Sequence, residues 1–202
     1  MESPSQRVPV IVSAVLVEGG LAVTAWLLGI WWGYPPGEAI QFTWPALGWG
    51  LAAVLPMLAL ALWVERSRWR PWRRLMKVVR RQIVPMFADC SYLDLALISA
   101  LAGLGEEALF RGVLQPAVAS WLGIVPALLL TSVLFGAAHM ITPGYFVLAT
   151  ALGGYLGYLA LATENLLAPI IAHAVYDFLA LTHMVGQARS RRDVIRATDY
   201  QP

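Results

Sequence analysis

Long apolar runs are the feature that most constrains how this chain can fold. A helix needs about 20 apolar residues to cross a bilayer, and six segments of the 202-residue sequence come near that length. Charged residues make up only 13% of the chain, against about a quarter in soluble domains. We therefore predict an all-α, polytopic membrane helix bundle and exclude a soluble α/β enzyme. The six predicted spans are Val8–Trp32, Trp44–Val64, Tyr92–Ala119, Ile124–Met140, Tyr145–Thr163 and Leu166–Val185.

The distribution of cations predicts the orientation of these spans. With six spans, Arg111 is the one Lys or Arg inside a span, and the other thirteen all fall on one side. Lys and Arg beside membrane spans favour the cytoplasmic side, so we predict that both termini are cytoplasmic. The first apolar run is too long for the core of a signal peptide and predicts a retained helix. The strong preference for Arg over Lys suggests a bacterial source, hence a bacterial inner membrane.

We interpret residues 1–202 as a single membrane domain with a core at about 92–185, a basic linker at 65–88 and a cytoplasmic tail at 186–202. Apolar residues recur at helical spacing through the linker, between Arg and Lys, which predicts a basic amphipathic helix on the inner leaflet. We expect anionic lipids to bind there, and no nucleic acid. The single cysteine, Cys90, excludes an internal disulfide and a cysteine metal site.

Ionisable residues within the third span demand a function, because a charge at the centre of a span costs about 2.5–3.5 kcal/mol on insertion scales. Glu107 and Arg111 are four residues apart, so they lie on one side of a helix and can pair. Glu106 points elsewhere and is left free to face a polar cavity as a base. Glu18, in the first span, we interpret as a structural group facing the bundle interior, with Gly19 and Gly20 allowing close helix approach.

Two further clusters lie in other spans. His139 ends the fourth span, and His173 and Asp177, again four apart, lie on one face of the sixth. A Glu can deprotonate water while His and Asp orient it and stabilise an oxyanion. Alternatively, two His and a carboxylate can bind Zn²⁺ and leave a position open for water. We expect no cofactor, with Zn²⁺ as the alternative.

These clusters resemble the three motifs of one family, the CPBP intramembrane proteases, which comprise CAAX prenyl endopeptidases and bacteriocin-processing proteins and are also called the Abi family. The order of the motifs, their distances and their placement on separate helices all agree, as does the stretch Leu167–Ile170 before the last motif. The matching residues are Glu106, Glu107 and Arg111, then Phe135 and His139, then His173 and Asp177.

The resemblance implies that Glu106 activates water, that His139 holds the same water, and that His173 and Asp177 orient it and stabilise the tetrahedral intermediate. It also implies that Glu107 and Arg111 fix the third helix or contact substrate. Many eukaryotic members carry Asn at the position of Asp177, and an ionised Asp can only accept hydrogen bonds. Three roles for Asp177 therefore stay open: a protonated donor, a group that orients His173, or a metal ligand.

The function that follows is hydrolysis of a peptide bond near a membrane-associated terminus of a peptide or protein, by glutamate-activated water. The alternative is a non-proteolytic scaffold or bacteriocin-immunity protein of the same fold. A transporter ranks last, because the two halves of the chain show no symmetry. The predicted boundaries raise one geometric conflict: they put His139 near the cytoplasmic surface and Glu106 near mid-membrane. A tilted third helix or a later fourth span would bring the two together in a cavity open toward the cytoplasm.

Overall fold

A computed structural model describes residues 6–198, with side chains described as far as residue 190. Within this part the chain is helical and contains no strand. Residues 199–202, the end of the predicted tail, lie outside the described residues, as do the side chains of Arg191, Arg192 and Arg196. The helices are α1 (Arg7–Trp32), α2 (Pro36–Ala39), α3 (Trp44–Arg66), α4 (Arg70–Val78), α5 (Tyr92–Glu107), α6 (Gln115–Leu122), α7 (Ile124–Ala138), α8 (Pro143–Thr163) and α9 (Leu167–Thr198).

Three segments of other helical types complete the chain path. A π-helical segment, Val79–Ile83, and a 3₁₀ turn, Val84–Phe87, continue α4. A second π-helical segment, Ala108–Leu114, joins α5 to α6 without a break. The prediction of an all-α membrane helix bundle is confirmed.

Four helices are long and apolar enough to cross a membrane: α1, α3, α8 and the Leu167–Ser190 part of α9. The third predicted span is the continuous helix Tyr92–Leu122, which meets the same criteria only together with the linker segment Arg70–Phe87. The fourth is the 15-residue helix α7, about 22 Å long at 1.5 Å per residue and so shorter than a hydrocarbon core. Length and composition therefore support four spans, or five if the bent pair counts as one, and the predicted count of six stays a prediction.

Apart from Arg111, the Arg side chains whose contacts are described lie near one end of the bundle. Arg7 binds Asp94 at 2.7 Å, and Asp94 also closes a capping box with Ser91 that starts α5. At the same end, Arg189 donates to the carbonyls of Ala88 and Cys90. These contacts tie the start of α1, the start of α5 and the far part of α9 together. We call this the basic end; its assignment to the cytoplasm stays a prediction.

The linker forms a helix across the basic end. The segment Arg70–Phe87 is bent by 114° from the helix Tyr92–Leu122, so it runs across the spans rather than along them. Its apolar side is buried within the protein, where Trp72 and Leu75 pack against Val64 of α3 and Leu148 of α8. Those two side chains are thus not available to enter the leaflet, and the cationic side of α4 faces outward.

Candidate active site

The three clusters of ionisable residues come together inside the bundle. Glu106 and Glu107 are the last two residues of α5. His139 caps the end of α7, and His173 and Asp177 lie on α9. Helix α8 also contacts the group, because the backbone carbonyl of Gly153 accepts a hydrogen bond from Arg111. The structure therefore brings the six predicted site residues into one connected polar centre.

Glu107 forms the closed half of this centre. Its Oε1 accepts hydrogen bonds from Arg111 Nη1 at 2.8 Å and from His173 Nδ1 at 2.7 Å. The side chains of Glu107 and Arg111 are 0% and 2% exposed. Arg111 also donates to the Gly153 carbonyl at 2.8 Å and lies 4.4 Å over the Phe135 ring. Arg111 thus joins Glu107 on its own helix to α8, and His173 joins the same carboxylate to α9.

Glu106 forms the open half. Its Oε2 lies 3.5 Å from His139 Nε2 and 3.9 Å from His173 Nε2, which is longer than the 2.7–3.2 Å of a normal N–H···O bond. This oxygen is buried and accepts no hydrogen bond from the described residues. The contact of Glu106 with His139 also removes the conflict in depth that the predicted boundaries raised. Glu106 is therefore a buried carboxylate without a hydrogen bond from the described residues, which is costly. Glu107 Oε2 also lacks one, but Glu107 Oε1 accepts two.

The orientation of His139 is fixed by its own helix. Its Nδ1 lies 2.8 Å from the Phe135 carbonyl, and since a carbonyl only accepts, Nδ1 carries the proton. The ring stacks on Phe135 at 4.5 Å and meets Tyr145 edge-on at 6.0 Å. Its side chain is 25% exposed. His139 therefore presents Nε2 to Glu106 from the more open side of the centre.

Asp177 contacts the centre through His173. Its Oδ2 lies 3.5 Å from His173 Nε2, and its side chain is 31% exposed. His173 is thus hydrogen-bonded to Glu107 at Nδ1, while its Nε2 faces Glu106 and Asp177 at longer distances. The three roles that the sequence leaves open for Asp177 stay predictions. Among the described residues, no group of three or more His, Cys, Asp or Glu side chains is arranged to hold a metal ion.

The sequence pattern does not predict the π-helical segment that begins directly after Glu107. π-Helical turns occur often at functional sites because they re-aim side chains within a helix. Here the segment carries Arg111 while leaving it in contact with Glu107. A proline at the second position of α6, Pro116, follows the segment and is the one local signal that the helix is irregular there.

The position of Glu18 is only partly predicted by the sequence. It faces the bundle interior as expected, with a buried Oε2 that has no hydrogen-bond partner among the described residues, and it interacts electrostatically with Glu106, His139, His173 and Asp177. The close approach of α1 occurs at Gly105, where an added Cβ would strike the Glu18 carbonyl. The expectation for Gly19 and Gly20 is wrong, because an added Cβ at either would meet open space.

The bundle and its polar centre together indicate a class of protein. This is an all-α membrane helix bundle with a buried Glu and two His, the groups with which hydrolases activate water. Residues 89–179, a little under half of the chain, match the family model "Type II CAAX prenyl endopeptidase Rce1-like". The match contains all six predicted site residues and confirms the resemblance to the CPBP family of CAAX proteases. Over these residues the chain is similar to CAAX prenyl endopeptidases. No curated protein and no solved structure matches the chain.

Proposed function

We propose that this protein is an intramembrane endopeptidase of the glutamic type in which Glu106 activates the attacking water. The observation that carries the proposal is the unsatisfied Oε2 of Glu106, which is buried between His139 and His173. A carboxylate in that position is free to accept a proton. Glu107 differs in two ways: its Oε1 already accepts from Arg111 and His173, and its side chain is 0% exposed against 10% for Glu106, although its Oε2 also lacks a hydrogen bond among the described residues.

His139 supports this role through its protonation. Since Nδ1 donates to the Phe135 carbonyl, Nε2 of the neutral ring carries a lone pair. Two acceptors that face each other at 3.5 Å need a donor, and a water molecule can donate one hydrogen to each. Its oxygen is then positioned for attack while Glu106 takes the proton. The hydroxide adds to the peptide carbonyl, and Glu106 returns the proton to the leaving amine.

The other residues would position the reacting groups. His173 can stabilise the tetrahedral oxyanion through Nε2, with Asp177 favouring the orientation and charge that this requires. Glu107 and Arg111 would hold His173 and the end of α5 in place, since both are buried and bonded to three different helices. They are positioning residues in this scheme. No cofactor is required; in the alternative with Zn²⁺, the ligands would be His139, His173 and Glu106, and the metal would activate the water.

The proposed substrate is a membrane-anchored or hydrophobic peptide or protein that is cut near its membrane-associated end. Helices that enclose the site are apolar on their outer surfaces, so a substrate can approach with its own anchor in the lipid. His139 and Asp177 are the most exposed members of the centre and mark the side from which a peptide would enter. The proposed location is a bacterial inner membrane with both termini in the cytoplasm.

The experiment compares membrane-protein termini by terminal-peptide mass spectrometry in cells with the wild-type chain, with Glu106→Ala, or with neither. We expect new termini with the wild type alone, while the Glu106→Ala protein still accumulates in the membrane; the same data identify the substrate. Identical termini with wild type and Glu106→Ala, under conditions where a phenotype of the wild type is present, would contradict proteolysis. That outcome would favour the scaffold or immunity role.

A further inference from the structure

A cavity of about 530 Å³ lies at the basic end, between the linker helix and the start of α8. We call it the linker cavity. On the linker side its walls come from α4 and the π-helical segment that follows, and on the other side from the N-cap and first residues of α8. It is separate from the candidate active site and shares none of its residues. The lining residues are Pro71, Arg74, Lys77, Val78, Arg81, Gln82, Thr142, Pro143 and Gly144.

The charge of the linker cavity is uncompensated. Arg74, Lys77 and Arg81 line it together, and its wall contains no Asp or Glu. Within the described part of the chain, none of these three cations forms a hydrogen bond or an ion pair. The neighbouring cavity shares Lys77 and Arg81 with the linker cavity but differs in its wall, where Glu65 binds Arg80 at 2.8 Å. Three clustered cations without a carboxylate repel one another unless an anion binds between them.

We propose that the linker cavity binds the phosphate-bearing headgroup of an anionic phospholipid. Arg and Lys are the side chains that bind phosphate best, through charge-assisted hydrogen bonds. Apolar residues, Pro71, Val78 and Pro143, share the same wall and suit the glycerol and upper acyl region of a lipid better than a free ion. The site lies at the basic end, between α8 and a helix that runs across the spans, where headgroups are expected.

Lipid binding in the linker cavity does not depend on the proposed function. It is also more specific than a general attraction of a basic linker to a charged surface. It predicts one lipid at one place. The location also has a consequence for the active site, since only Met140 and Ile141 separate His139 from Thr142, the N-cap of α8. A lipid bound between α4 and α8 would hold this short connection in place. Gly144 already packs closely at the joint, where an added Cβ would lie 3.2 Å from the Pro71 carbonyl.

The test uses native mass spectrometry of the full chain in detergent micelles doped with phosphatidylglycerol. We expect the wild type to retain one phosphatidylglycerol molecule. A double variant, Arg74→Gln with Arg81→Gln, should bind it roughly tenfold more weakly, the cost of losing about one charge-assisted hydrogen bond. The matched control, Arg70→Gln with Arg73→Gln, removes two charges from the same segment but none from the wall of the linker cavity; its affinity should change less than about threefold.

Three outcomes would overturn the proposal. Equal loss of lipid in both double variants would mean general electrostatic attraction and no defined site. Equal retention of phosphatidylcholine with the same acyl chains would mean that the chains, not the anionic headgroup, are bound. Displacement of the lipid by inorganic phosphate at comparable concentration would mean a site for free phosphate. Thermal unfolding of each variant in the same detergent verifies that it is folded before binding is compared.

Discussion

Both halves of the polar centre contain a carboxylate and an imidazole, but only the half around Glu107 is closely hydrogen-bonded. Around Glu107, a carboxylate, a guanidinium and an imidazole are closed off from solvent and bonded at 2.7–2.8 Å. Around Glu106, a carboxylate and two imidazoles stand 3.5–3.9 Å apart, and His139 is partly exposed. Glu106 and Glu107 are neighbours in the sequence and about 100° apart around the helix. That one step leaves Glu107 Oε1 with two charged or polar donors and Glu106 with no hydrogen bond among the described residues.

The half around Glu107 can keep a charged site in place within a membrane bundle. Burying a charge is costly unless it is paired and hydrogen-bonded, and the half around Glu107 pairs its carboxylate with Arg111 and His173. His173 belongs to both halves, because its Nδ1 binds Glu107 and its Nε2 faces Glu106. The closed half therefore positions a group that the open half uses. Substitutions in the two halves should differ in whether they change activity or stability.

The largest effect on activity is expected from Glu106→Gln. The amide keeps the shape of the side chain but cannot accept the proton of water, so cleavage should fall by about 10²–10⁴-fold, the usual contribution of a general base. The free energy of unfolding should change little, because Glu106 Oε2 has no hydrogen bond to lose. Rates on the substrate identified from cellular termini, with denaturant unfolding in parallel, check both parts. Cleavage at the wild-type rate would remove Glu106 from the mechanism.

Glu107→Gln should instead reduce stability. It leaves Arg111 buried without its carboxylate, and breaking one partner of a buried ion pair costs about 3–5 kcal/mol. The measurement is the free energy of unfolding in mixed micelles, with residual activity normalised to folded protein. Glu65→Gln is the control: it removes the carboxylate of a partly exposed cluster with Arg80, His183 and Gln187, in which the ion pair with Arg80 is worth at most about 1 kcal/mol. Equal losses in the two variants would contradict the distinction between the closed half and the surface.

Much of this arrangement follows from the sequence. Spacings of four residues predict the Glu107–Arg111 and His173–Asp177 contacts, and apolar runs predict the bundle. The depth conflict at His139 arose from measuring each residue against an assumed membrane centre. Counted from the turn at Gly123, Glu106 lies 17 residues before it and His139 16 residues after it, so two antiparallel helices of equal rise place them level. Counting from the turn would have predicted the contact.

Other features could not be predicted because they depend on packing between distant segments. No local pattern shows that Glu18 of α1 would face the site, since its position follows from the close approach of α1 at Gly105. The burial of Trp72 and Leu75 against α3 and α8 also cannot be predicted from the sequence. Their spacing predicts an amphipathic helix, but a membrane and the protein's own α3 and α8 are equally apolar partners. Periodicity identifies an apolar face and not what covers it.

A smaller effect is expected from Gly153→Ala. An added Cβ would lie 3.1 Å from the Phe135 side chain and 3.3 Å from Arg111 Nη2, so the closed half must shift to admit it. Overpacking of this kind costs about 1–3 kcal/mol. Gly154→Ala is a matched control on the next residue, where the nearest atom is Ser132 Oγ at 3.4 Å, an ordinary contact. The free energy of unfolding should fall for Gly153→Ala and stay nearly constant for Gly154→Ala; the reverse order would contradict this packing.

The smallest effect is expected from Asp177→Asn, which distinguishes the roles that the sequence leaves open. The carboxylate contacts His173 Nε2 at 3.5 Å and is partly exposed, so its charge contributes about 1 kcal/mol at most. His173 remains bonded to Glu107 at 2.7 Å, so cleavage should fall by about two- to fivefold if Asp177 orients His173. If Asp177 acts as a protonated donor, the Asn amide can replace it and the rate stays unchanged. A loss beyond a hundredfold that added Zn²⁺ partly restores would mean that Asp177 is a metal ligand, because an amide is a far poorer ligand than a carboxylate. The size of this one change thus separates an orienting group, a hydrogen-bond donor and a ligand.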